Sequence, residues 1–123
     1  MKIIIGDDSP GIRLKLRHYL EDLGHVVVGE AGTGSEAVTL CQELNPDLCL
    51  LDIVMPGTDG LAALEMIRKQ SPRVLVIMVS SAATVTNILA ARKLGAVDFL
   101  IKPFKREKVI DVLSKLERES KAA

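Results

Sequence analysis

Residues 48–70, LCLLDIVMPGTDGLAALEMIRKQ, decide the fold. Leu48 to Leu51 is a short, unbroken apolar run, as expected of a strand buried on both faces of a parallel sheet. Asp52 stands at its end. Leu61, Leu64 and Ile67 then recur at helical spacing. The same alternation extends in both directions. Further apolar runs fall at 2–6 (KIIIG), 26–29 (VVVG), 74–79 (VLVIMV) and 97–101 (VDFLI). Helical periods follow them: Ile12, Leu16, Leu20 and Leu23; Ala37, Leu40, Cys41 and Leu44; Val85, Ile88, Leu89 and 91–94; Val109, Val112, Leu113 and Leu116. Ser9-Pro10 supplies a cap and a helix-starting proline. Thr33 to Glu36 has the spacing of a capping box. Gly24 and Gly95 sit where helices stop, and Pro46 and Pro72 follow helix ends.

Five strand–helix units predict an α/β fold, a doubly wound, flavodoxin-like (βα)5 domain. Its sheet is expected to be five-stranded and parallel, with helices on both faces. Right-handed crossovers make 2-1-3-4-5 the natural strand order. One domain over 1–119 with a frayed tail at 120–123 accounts for the chain.

Composition agrees. The 123 residues carry 16 Lys and Arg against 16 Asp and Glu, and hydrophobic residues make up 48%. Low net charge with that apolar share argues against disorder. No basic excess exists to release counterions from nucleic acid. The three aromatics, Tyr19, Phe99 and Phe104, are too few for a base-stacking platform. The cluster 102–108 (KPFKREK) is interrupted by Glu107 and balanced by Asp111, Glu117 and Glu119, so it reads as a solvated helix start. No apolar run is long enough to span a membrane, and the N-terminus turns acidic too early for a signal peptide, so a cytoplasmic protein is expected. Cys41 and Cys49 lack metal-ligand spacing and read as buried small apolar residues. His18 and His25 are isolated, with structural or surface roles expected. Met55, Met66 and Met78 read as packing residues.

In such sheets, ligands bind beyond the carboxyl ends of the strands. Asp7 and Asp8 follow strand 1, Asp52 strand 3, Ser80 and Ser81 strand 4, and Lys102 strand 5. Taken singly, an Asp or Ser here caps the next helix. Capping does not require three acids, a hydroxyl and an ammonium to converge on one rim. Three close carboxylates call for a cation. Oxygen ligands completed by water suit Mg²⁺. One Lys and one hydroxyl beside them suit a phosphoryl group.

The chain closely resembles the receiver domain of two-component response regulators over about residues 2–117. The resemblance rests on Asp7-Asp8, on Leu51-Asp52-Ile53-Val54-Met55-Pro56-Gly57 with Asp59-Gly60 beyond, on Val79-Ser80-Ser81-Ala82, and on Gly95-Ala96 leading to Lys102-Pro103-Phe104. It implies a signalling protein, rather than a metabolic enzyme, that catalyses its own phosphorylation and dephosphorylation. Asp52 is then the phosphoacceptor for a sensor histidine kinase. Asp8, Asp52 and the main-chain oxygen of Val54 are the Mg²⁺ ligands, with Asp7 acting largely through water. Lys102 pairs with the phosphoryl oxygens, and its bond to Pro103 is cis. Ser80 and Phe99 form the switch, with Phe99 replacing the frequent Tyr. The output surface is expected over residues 84–118, for a downstream protein or output domain, with a phosphorylation-dependent homodimer as an option. Val54 and Ala82 are apolar where family members can hold the hydrolytic water, which implies slow dephosphorylation. The absence of a linker or second-domain start favours a chemotaxis-type single-domain regulator over the N-terminal receiver of a longer one.

Two other classes compete. An Asp-nucleophile phosphatase or phosphotransferase needs an acid two residues after its nucleophile, and Asp52 is followed there by Val54. A flavin- or nucleotide-binding module needs a phosphate loop, and Gly29 to Gly34 runs in the wrong order for one.

Overall fold

A computed structural model describes residues 1–57 and 59–122, with side chains up to residue 119. The expected fraying of 120–123 concerns side chains and a terminus outside the described residues. The elements run β1 (Lys2–Gly6), α1 (Pro10–Asp22), β2 (Val26–Ala31), α2 (Gly34–Leu44), β3 (Leu48–Leu51), α3 (Gly60–Gln70), β4 (Leu75–Ser80), α4 (Val85–Lys93), β5 (Asp98–Ile101) and α5 (Arg106–Ala122). All strand pairs are parallel, in the order β2-β1-β3-β4-β5. This is the expected topology.

The apolar runs are continuous because alternate residues serve two cores. Ile4, Cys49, Leu51, Val76 and Met78 face one layer with Ala37, Cys41, Leu64 and Ile67. Ile3, Ile5, Leu48, Leu50, Ile77, Val79 and Leu100 face the other, against Leu16, Leu20, Val109, Leu113 and Leu116. Both cysteines are buried and free, as read.

The caps act as their chemistry predicts. Ser9 accepts from the Ile12 N–H at 3.3 Å, and Thr33 from that of Glu36 at 3.1 Å. Gly24 and Gly95 take φ of +87° and +103°, where a Cβ would be strained. Asn45 ends α2 in the left-handed region at φ 45°.

Three details depart from the sequence expectation. β2 runs on to Ala31. A register shift opposite Ile3 and Ile4 carries Glu30 and Ala31 alongside Ile5 and Gly6, so Gly29–Ala31 is strand rather than a phosphate loop. Met66 is exposed, on the outer side of α3. Val85 and Leu89 share the helical period of α4 yet lie in solvent, because this nine-residue helix buries only Ala91 fully.

His25 is buried at the opposite end of the sheet from the acid rim. Its Nδ1 lies 2.9 Å from the Met1 main-chain nitrogen and its Nε2 3.3 Å from Glu117. Burial, aided by the charge at Met1, lowers its pKa below 6.5 despite the opposing pull of Glu117. The fold therefore favours neutral His25. Its contribution is complete above the unfolded value and is lost as pH falls through the lower folded one. The urea midpoint is expected to drop between pH 7 and pH 5. That drop should shrink in His25→Gln, and an identical drop in both proteins would exclude His25 as its source.

Candidate functional site

The rim at the carboxyl ends of the strands is built by carrying the sheet ladder one residue past each strand. Asp7 donates its N–H to the carbonyl of Ala31 at 2.9 Å, Asp52 to Gly6 at 2.9 Å, and Lys102 to Ser80 at 3.0 Å. Each functional residue is thus held by the last residue of the neighbouring strand. The side chains then meet above the sheet. The Lys102 ammonium donates to Asp7 Oδ2 at 2.6 Å and to Asp52 Oδ2 at 2.9 Å. Carboxylate oxygens of Asp7, Asp8 and Asp52 lie within 4.8 Å of one another.

The carboxylates differ in surroundings. The Asp7 and Asp52 side chains are 2% and 7% exposed, and that of Lys102 15%. Asp7 Oδ1 also accepts from the Ser9 N–H at 2.9 Å, and Asp52 Oδ1 from the Val54 N–H at 3.2 Å. Asp8 is exposed, and its carboxylate has no partner among the described residues. For Lys102, burial acts to lower the pKa. The hydrogen bonds and charges of Asp7 and Asp52 outweigh it and hold the pKa above the ordinary lysine value. Lys102 therefore stays cationic at neutral pH.

The remaining expected residues lie at the end of β4, in the loops after β3 and β4, and on β5. Ser80 is fully buried at the end of β4, where its Oγ accepts from the Ala82 N–H at 3.1 Å. Val54 is 62% exposed at the mouth, and Ala82 is half-buried. Phe99 is half-buried on β5, against the α2–α3–α4 core layer. It lines a narrow gap with Ile88 and Ala91 of α4, and an open groove of about 800 Å³ with Ile101, Pro103 and Lys108 on its other side. The Lys102–Pro103 bond is cis.

Two features escaped the sequence reading. Gly60 starts α3 directly under the acid. A Cβ there would lie 1.9 Å from the main-chain oxygen of Asp52 and 2.5 Å from Ile53 Cα. Only glycine lets α3 begin so close to the end of β3. The second feature is a cationic clamp on α1. Arg13 and Arg17 both bind Glu30, and Arg13 also donates to the main-chain carbonyl of Asp7. Their i,i+4 spacing was visible in the sequence. The partner at the end of β2 was not, because that strand was read as ending at Gly29.

Three carboxylates and one ammonium leave a formal excess of two negative charges. All the donors in the cluster are hard oxygens, which suits Mg²⁺ over a thiophilic metal. Removing Lys102 would leave Asp7 and Asp52 facing each other at low exposure. Lys102→Met is expected to cost of order 3 kcal/mol of stability without divalent cation, the low end for breaking a buried pair. Mg²⁺ should restore more stability to the variant than it adds to the native chain. Equal Mg²⁺ responses in denaturant titrations would disprove that compensation.

Comparisons with known proteins agree with this geometry. The sequence matches the response regulator receiver domain family model over residues 3–114. It is 36% identical over 115 residues to protein CcdB of Bacillus subtilis, covering 94% of this chain and 96% of that one. It is 35% identical over 117 residues to the chemotaxis protein CheY of Thermotoga maritima, covering 95% and 98%. The fold superposes on a CheX–CheY–BeF3–Mg complex from Borrelia burgdorferi with a TM-score of 0.91 at 29% identity, covering 94% of this chain and 88% of that one. The alternative readings as a phosphatase or a nucleotide module are not favoured by these matches. The chain belongs to the response regulator receiver domain family, the phosphoacceptor domains of two-component signalling.

Proposed function

We propose that Asp52 is the residue that takes the phosphoryl group, from a phosphohistidine of a sensor kinase. The observation carrying this reading is the contact of Asp52 with Lys102 inside a cluster of three carboxylates. Receiver domains bind Mg²⁺ at an acidic pocket and work between kinases and downstream targets. For this chain the assignment is Asp8, Asp52 and the main-chain oxygen of Val54 as direct Mg²⁺ ligands, with Asp7 acting largely through water. Bound there, Mg²⁺ would neutralise charge on the phosphoryl oxygens.

The chain's own residues do the rest. An Asp52 oxygen attacks phosphorus, the P–N bond of the donor breaks, and its imidazole leaves with the electron pair and takes a proton. Lys102 is already turned toward Asp52 and pairs with a phosphoryl oxygen as charge moves onto it. Positioning and charge neutralisation suffice, because the transition state is loose. The Borrelia complex, whose title names CheY, CheX, BeF3 and Mg, is consistent with this chemistry and with partner binding.

Phosphorylation turns the one negative charge of Asp52 into close to two, spread over the phosphoryl oxygens. The Ser80 hydroxyl then moves toward them, giving up its contact with the Ala82 N–H. The space it leaves lies beside β5, where Phe99 turns inward. Phe99 fills volume but offers no hydroxyl to a partner. The surface that responds is α4–β5–α5, where Val85, Leu89, Val97 and Ile101 are exposed. A downstream protein, an output domain or a second copy binding after phosphorylation would use it. Among the described residues no helix is long and apolar enough to cross a membrane, which fits the proposed cytoplasmic setting.

Two measurements test this reading. Incubation with a small phosphodonor and Mg²⁺ should add about 80 Da, one phosphoryl group. The gain should vanish in Asp52→Asn, and a native chain that gains nothing overturns the assignment. The second concerns the lifetime of the phosphate. Hydrolysis needs a water held in line with the Asp52–phosphorus bond, and neither the Val54 nor the Ala82 side chain can hydrogen-bond one. Phosphate loss from the purified chain should take minutes or longer and should quicken in Val54→Asn. Loss within seconds from the native chain would refute the slow clock.

A further inference from the structure

Arg13 reaches the acid rim from α1, and phosphoryl transfer as described above makes no use of it. Asp7 has every polar atom held. Its N–H goes to Ala31, Oδ1 accepts from Ser9, Oδ2 accepts from Lys102, and its main-chain carbonyl accepts from Arg13 Nη1. Asp8, the next residue, is exposed and its carboxylate is unpartnered among the described residues, yet it still lies within 4.8 Å of the other two acids. The Asp8 Cα lies in the rigid Asp7–Asp8 peptide plane, so fixing that plane fixes the point from which its side chain starts. Arg13 grips the carbonyl of that plane.

Arg13 is itself fixed. Its Nε donates to Glu30 Oε1 at 3.0 Å, and Glu30 Oε2 accepts from Arg17 Nη2 at 2.6 Å and Nε at 2.8 Å. Burial acts to raise the Glu30 pKa, but the hydrogen bonds and charges of Arg17 and Arg13 outweigh it and hold the carboxyl below its ordinary value. The clamp therefore stays charged at neutral pH.

We propose that Arg13 is a positioning residue for the divalent-cation site: it locks the Asp7–Asp8 peptide plane so that the Asp8 carboxylate stays with those of Asp7 and Asp52. This rests on the Mg²⁺ assignment above and deepens it. The sign of the effect separates it from simple electrostatics. Arg13 is a cation near a cation site, so by charge alone its removal would tighten Mg²⁺ binding. A positioning role predicts the reverse.

Mg²⁺ titration calorimetry at fixed ionic strength reads the difference, on the 123-residue chains, whose folding is checked by thermal melts without metal. Arg13→Gln is expected to weaken Mg²⁺ binding about tenfold, the lower range for losing a group that orients a ligand. Arg17→Gln leaves the Arg13–Asp7 contact in place and should weaken Mg²⁺ binding much less than Arg13→Gln does. If Arg13→Gln does not fold, Arg13→Lys carries the test, because it keeps the charge but replaces the planar fork with a single ammonium. Unchanged or tighter binding in the Arg13 variant overturns the proposal, as does equal weakening in the Arg13 and Arg17 variants. A native chain that takes up no Mg²⁺ overturns the underlying metal assignment instead.

Discussion

The contact on which the site depends is one ammonium shared by two buried carboxylates. Lys102 lies between Asp7 and Asp52, and the three come from the ends of β5, β1 and β3. In the order β2-β1-β3-β4-β5, β5 is separated from β3 by β4, so the lysine side chain must reach across one strand. Its length makes that possible, and the bond from its N–H to Ser80 fixes where the reach begins. At an effective dielectric near 20, each pair of carboxylates about 4 Å apart repels by roughly 4 kcal/mol. One lysine cannot cancel three such acids. The fold holds the charges together because the strands beneath them are fixed by two cores that pack from opposite faces.

That division of labour explains what was legible in the sequence. The apolar runs at 2–6 and 48–51 are unbroken because both faces are covered, and that pattern led directly to the parallel sheet. Asp7, Asp8, Asp52, Ser80 and Lys102 were legible because strand ends were legible, and the topology rule put all five on one rim. Boundaries were less clear. Ser80 ends β4 instead of following it, and Glu30 belongs to β2. A register shift against β1 carries β2 past Gly29, and no local propensity signals that pairing.

What stayed hidden was whatever required knowing which surface faces which. Val85 and Leu89 have the spacing of buried positions, yet α4 leaves them in solvent. Periodicity shows that an apolar stripe exists, not whether the domain's own core covers it. Asp59-Gly60 carried part of the resemblance, but nothing in the sequence said why glycine stands there. Its necessity appears only when the Asp52 carbonyl is found 1.9 Å from where a Cβ would sit. The clamp of Arg13 and Arg17 on Glu30 joins residues 13 and 17 positions apart across a strand and a helix, and such pairs carry no mark in a single sequence.

The formal charge of the rim also constrains the order of events in the proposed cycle. With three acids and one lysine it stands at minus two before any phosphate arrives. Phosphorylation turns the single negative charge of Asp52 into close to two, so the rim would move from minus two toward minus three. In the proposed cycle, a cation bound before transfer would offset that charge and leave Lys102 free to turn from Asp7 and Asp52 toward the incoming oxygens. Asp7 would then lose its closest positive partner, leaving the Ser9 N–H on one of its oxygens and the other oxygen available to a cation. In the proposed switch, the charge on the phosphate is what would draw Ser80 toward it. That movement would reach the α4–β5–α5 face through the β4–β5 ladder, where Ser80 pairs with Ile101 and, two residues back, Met78 with Phe99. A site built to tolerate crowded charge thus lies one strand away from the surface that would report its change.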